Sequence, residues 1–170
     1  MVVDARAELD ALLSRDETAM RGWEDAEFDR VAHGRSRAVV LLGSGRLGRR
    51  CAAALRADGI EPLAFADNAA DRQGTMVDGI RVLSPTAAAR EFGTRAVFVV
   101  AIWGANSPHR LAHSRQQLTQ LGSDRVVSFA PLAWKYAGAL LPHYLQDLPH
   151  KVITDRPAVR AALEIGRAHV

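Results

Sequence analysis

The residues best suited to chemistry are Gly43-Ser44-Gly45-Arg46-Leu47-Gly48, a G-x-G-x-x-G turn, and Asp67, which follows 19 positions after Gly48. In such a turn the first glycine permits a tight reversal, the second lets backbone approach a phosphate, and the third lets a helix pack closely on a strand. The amides that open the following helix attract an anion. Asp67, with Asn68 beside it, falls where a ribose hydroxyl needs an acceptor. The chemistry implied is the holding of a nucleotide, a nucleotide sugar or a dinucleotide, although the same turn can also serve packing alone. Methyltransferases that hold S-adenosylmethionine at such a turn usually carry an acid two positions before the first glycine. Here that position is Leu41, which argues against S-adenosylmethionine at this site.

A second group is Trp103-Gly104-Ala105-Asn106, at the end of the most apolar segment of the chain. In an open α/β sheet this tip faces the first glycine turn across the ligand crevice. Trp103 can stack on a base or floor the crevice, and Asn106 can bond a ligand or cap the next helix. His109 and His113 have the four-residue spacing of a helical metal pair, but no third ligand accompanies them, and no metal is expected. Cys51 sits among alanines in the first helix of the core and reads as a small packed residue. Lys135 and Tyr136 contain the residue types of an oxidoreductase proton donor, yet as neighbours on a helix they would point apart. No catalytic residue is assigned.

These groups need elements to position them. Ala38–Leu42 is continuously apolar, as a strand covered on both faces would be, and a helix follows from Arg49 to Asp58. Further strands are expected at Glu61–Ala66, Ile80–Leu83, Ala96–Ile102 and Arg125–Phe129, with helices from Ser84-Pro85 to Phe92 and from Ser107-Pro108 to Leu121. This alternation predicts a Rossmann-like, doubly wound parallel sheet of about five strands over residues 38–130. Residues 1–36 read as an amphipathic helical arm, with one helix or two between Asp4 and Phe28 and a linker at His33–Arg37. Residues 131–164 read as a C-terminal extension, irregular and aromatic from Pro131 to Lys151 and helical from Asp155 to Glu164. The last six residues, IGRAHV at 165–170, match one reading frame of a sequencing adapter and are expected to be a non-native tail. Gly166 as an ordinary helix stop is the alternative.

Composition limits the partners. The chain has 48% hydrophobic and 24% charged residues and no stretch long and apolar enough to span a bilayer, so no membrane partner is expected. With a single cysteine and no export signal, a cytoplasmic location is expected. Residues 1–36 carry five arginines against nine acids, net −4, which leaves +7 of the overall +3 for the remainder. A mildly basic core suits a phosphate-bearing small molecule. No basic run with interleaved aromatics is present, so nucleic acid is not an expected partner.

On these residues the chain resembles the amino-terminal domain of FkbM-family methyltransferases. The resemblance runs through Val40–Arg49 (VLLGSGRLGR), Gly59–Asn68 (GIEPLAFADN), Gly74–Pro85 (GTMVDGIRVLSP), Ala96–Asn106 (AVFVVAIWGAN) and Pro142–Lys151 (PHYLQDLPHK), the last being the most specific. It covers residues 38 to about 160; the glycine turn and FADN are also shared with nucleotide-sugar-binding domains. The resemblance implies a parent enzyme that methylates a hydroxyl of a sugar or polyketide-like acceptor with S-adenosylmethionine. The catalytic core of such enzymes opens with a strand carrying an acid-x-Gly-Ala-Asn type turn. Gly104–Asn106 is not that turn, because its strand lacks the acid, and nothing after Lys151 supplies one. The methyltransferase core is therefore expected to be a missing C-terminal partner domain.

Overall fold

β1 (Val39–Leu42) lies in the middle of the sheet, and each of its four side chains is buried. In the computed structural model, which describes residues 16–103 and 110–144, alternate residues of this strand feed two separate cores. Val39 and Leu41 pack on one face with Phe28, Cys51, Leu55, Phe65 and Leu132. Val40 and Leu42 pack on the other with Ala88, Phe92, Phe98 and Leu118. A strand with two apolar faces needs helices on both, and the chain supplies them.

In chain order the elements are α1 (Glu17–Ala32), β1, α2 (Arg46–Ala57), β2 (Ala64–Ala66), β3 (Met76–Val77), β4 (Ile80–Leu83), α3 (Pro85–Phe92), β5 (Val97–Val100), α4 (Leu111–Gln120), β6 (Val126–Ser128), α5 (Ala130–Lys135) and α6 (Ala137–Tyr144). The sheet has six strands in the order β3-β4-β2-β1-β5-β6. β1 pairs in parallel with β2, Leu42 opposite Ala66, and with β5, Leu42 opposite Val100. β4 and β6 extend the parallel sheet on either side. This is the expected Rossmann-like α/β architecture.

The sixth strand was not among those expected. β3 pairs antiparallel with β4, Val77 opposite Ile80. The turn between them is Asp78-Gly79, with φ of 49° and 76°, the mirror-image two-residue turn that matches hairpin twist.

The extension also departs from expectation. From Pro131 the chain is not irregular: α5 and α6 are helices, with Leu132, Ala133 and Leu140 buried. Pro131 falls in the first turn of α5, where its missing N–H costs no helical bond. Residues 145–170, including the helix expected at Asp155–Glu164 and the tail, lie outside the described residues.

α1 packs on α5 through Trp23 and Trp134, whose ring centroids are 5.3 Å apart, and Lys135 Nζ donates to Asp29 Oδ2 at 2.5 Å. Phe28 and Ala32 enter the core fully buried. The helix begins at Asp16, whose Oδ1 accepts from Ala19 N at 2.8 Å. Asp16→Ala is expected to cost about 1 kcal/mol, read as a fall of roughly 2–4 °C in the melting temperature.

Candidate functional site

The C-terminal ends of β1, β2 and β5 converge on one cleft of about 450 Å³, within the range of small-molecule sites. Gly43, Gly45, Arg46, Leu47, Asp67 and Trp103 line it, together with Arg72, Ala101 and Ile102. It opens where the connections leave β1 and β5 for opposite sides of the sheet, the place where open α/β sheets take ligands.

The three glycines of the turn stand in different surroundings. Gly43 has φ of +105°, and a Cβ there would stand 2.8 Å from Ile102 Cγ1 and 3.0 Å from Ala101 O. A Cβ on Gly48 would lie 1.9 Å from Gly43 O, so only glycine lets α2 close onto the end of β1. Gly45 is different. It has φ of −77° as the N-cap of α2, and the nearest atom to its Cβ position is Arg72 Nη1 at 3.8 Å. Nothing in the chain's own packing demands a glycine there.

α2 offers an anion a favourable end. Its N-cap contributes no side-chain hydrogen bond, and its first turn carries no acid. The first backbone bond closing the turn is donated by Arg49 N to Gly45 O at 3.0 Å. The amides of Arg46, Leu47 and Gly48 therefore have no acceptor within the helix, and the helix dipole adds to their pull on negative charge. Arg46 is exposed at the cleft and makes no ion pair among the described residues.

Asp67 stands at the tip of β2 as expected, but its carboxylate is spent on the turn. Oδ2 accepts from Ser44 N at 2.8 Å and from Ser44 Oγ at 2.5 Å, while Oδ1 accepts from Ala69 N at 2.9 Å. Ser44 is buried, 4% exposed. Arg72 Nη1 lies 3.5 Å from Oδ2 and 3.4 Å from Ser44 Oγ. Burial opposes the charged form of Asp67. The bonds from Ser44 and Ala69 and the charge of Arg72 outweigh it and hold the carboxyl below the usual carboxylate range.

The remaining sequence-derived residues divide. Asn68 bonds Gln117 of α4 in both directions, at 3.3 and 2.8 Å, and is not among the cleft lining. Trp103 is 68% exposed and meets Phe129 edge-on, centroids 5.8 Å apart. Gly104, Asn106 and His109 lie outside the described residues. Burial pushes the Cys51 thiol up to about 12, which keeps it protonated and unreactive. Among the described residues no group of three His, Cys, Asp or Glu could hold a metal, and no helix is long and apolar enough to cross a membrane.

Lys135 and Tyr136 are both engaged elsewhere. Tyr136 Oη donates to Asp58 Oδ2 at 2.8 Å; burial, reinforced by that bond, raises its phenol above the ordinary value. Asp58 caps the far end of α2, about 18 Å of helix from the glycine turn at 1.5 Å per residue. Arg72, Ala101 and Ile102 are the cleft residues that sequence reasoning did not assign to the site, and Arg72 is the charged one among them. It lies in the loop after β2, where no periodicity marks it, and only the folding of that loop brings it back over the turn.

No protein-family model matches the chain, and no curated protein matches it. Among solved structures it is similar to the crystal structure of RSP, a Rex-family repressor, with a TM-score of 0.43 at 13% identity over 73% of this chain. The match covers 60% of that protein, so this chain spans less than two thirds of its length.

Proposed function

We propose that the cleft binds a nucleotide or nucleotide sugar, with a phosphate seated over Gly45 against the opening amides of α2. The observation that carries this is the contrast among the glycines: Gly43 and Gly48 are required by contacts within the chain, and Gly45 is not. A missing side chain at the one position facing both the helix N-terminus and Arg72 leaves room for a ligand atom. The absence of an acid in the first turn and the cationic lining support the same reading.

We further propose that the domain is the amino-terminal module of an FkbM-type methyltransferase. On this reading S-adenosylmethionine is used by a separate catalytic core, which methylates a sugar or polyketide-like hydroxyl. The segments VLLGSGRLGR, GIEPLAFADN and GTMVDGIRVLSP support it, as does PHYLQDLPHK. The gene sequence in frame beyond codon 164 tests the parent enzyme. A following strand with an acid-x-Gly-Ala-Asn turn is expected, and a different fold there would remove the assignment.

Isothermal titration against nucleotide sugars, NAD(P) and S-adenosylmethionine tests the binding claim. Binding of a phosphate-bearing nucleotide is expected, and Gly45→Ala is expected to weaken it about tenfold or more with the melting temperature essentially unchanged. Silence from the whole panel at millimolar concentration would reject the claim.

A further inference from the structure

We infer that Arg72, and not Asp67, meets the ligand at the tip of β2, so that the cleft selects nucleotides whose ribose carries a phosphate monoester over those with a free diol. The inference rests on the reading that the cleft binds a nucleotide.

The Asp67 carboxylate offers about four acceptor positions. Ser44 N and Ser44 Oγ take two on Oδ2, with Arg72 Nη1 leaning on the same oxygen at 3.5 Å, and Ala69 N takes one on Oδ1. What is left is a single position beside Ala69. A ribose diol that bridges both oxygens would have to displace Ser44 N or Ser44 Oγ from Oδ2, both donors of a residue only 4% exposed. Asp67 is therefore a positioning residue: it fixes the turn and steers Arg72.

Arg72 has the opposite balance. Its side chain is 48% exposed, and of its five donors only Nη1 is engaged among the described residues, at 3.4 and 3.5 Å. That same nitrogen is the nearest atom to the Cβ position of Gly45. The guanidinium thus stands between the glycine turn and the end of β2, with donors to spare. Arg46 supplies a second cation at the opening of α2, so the two arginines of the lining outweigh the one acid, Asp67, which Arg72 partly pairs. A neutral diol gains little from this surplus. A phosphate dianion gains a planar fork of charge-assisted hydrogen bonds.

The test is titration of the full chain with 5′-AMP, adenosine 2′,5′-bisphosphate and adenosine 3′,5′-bisphosphate at constant ionic strength. At least one bisphosphate is expected to bind about tenfold or more tightly than 5′-AMP. Arg72→Ala is expected to bring that ratio to about one, and Arg72→Lys to keep part of it, because an ammonium retains the charge but not the fork. A merely structural arginine would weaken all three probes by the same factor and leave the ratio unchanged. A wild-type ratio of one, or a ratio that survives Arg72→Ala, would overturn the inference while leaving nucleotide binding intact. Failure of all three to bind would overturn the inference and also count against the nucleotide reading beneath it.

Discussion

Gly48→Ala is expected to destabilise the domain by about 3 kcal/mol or more and to lower its melting temperature by roughly 10 °C. The added methyl would have to occupy space 1.9 Å from Gly43 O and 3.0 Å from Gly43 C, with the Phe65 ring at 3.3 Å behind it. Two of those atoms are backbone at the end of the central strand, so no rotamer change relieves the overlap. α2 would have to lift from β1, and Leu47, Cys51 and Leu55 would lose their seating in the core. Gly43→Ala is expected to be milder, since its closest contact is Ile102 Cγ1 at 2.8 Å and not backbone at 1.9 Å, although its φ of +105° and Ala101 O at 3.0 Å strain an alanine there too. Gly45→Ala, with nothing nearer than 3.8 Å, leaves the fold in place and tests the ligand alone. Thermal and urea denaturation of the three variants, read beside titration, separate architecture from binding. Equal stability of Gly48→Ala and Gly45→Ala would refute this division of roles.

The parts of the molecule legible in the sequence are those where burial alone decides the structure. The run at Val39–Leu42 is apolar on both faces because helices cover both, and a glycine turn directly after it admits few folds. β3 carries no such signal: Met76 is 63% exposed and Val77 half-buried, so the strand is made by the Asp78-Gly79 turn and not by a hydrophobic pattern. α5 and α6 were obscured by Pro131 and Pro142. Their helical character rests on tertiary contact, with Trp134 against Trp23 and with Leu132 and Leu140 in the core cluster that holds Phe28. At the site, sequence spacing located Asp67 but could not give its orientation, because Ser44 is recruited as its partner only when β1 and β2 align. Arg72 enters by the same route, through the path of a loop.

Asp67→Asn and Asp67→Ala carry the other large expected effect. The side chain is 12% exposed and supplies the acceptors for Ser44 N, Ser44 Oγ and Ala69 N. Removing them in Asp67→Ala strands a buried backbone donor and is expected to cost about 2–4 kcal/mol. Asp67→Asn keeps one acceptor but turns an amide toward existing donors, and is expected to cost roughly 1.5–3 kcal/mol. Charge gives the effect a pH signature. The folded carboxyl titrates below its ordinary value of 3.8, so as pH falls the unfolded chain takes up the proton first and the equilibrium moves toward unfolding. The stability Asp67 contributes is thus fully present above its unfolded pKa and is lost as pH falls through the lower folded value. Urea denaturation of wild type and Asp67→Asn is expected to show a constant gap from neutral pH to just above the ordinary carboxylate range, and a narrowing gap below it. A gap that does not change with pH would mean the carboxylate acts through shape alone. No gap at any pH would mean that Ser44 finds another acceptor, which would leave Asp67 free to meet a ribose in place of Arg72.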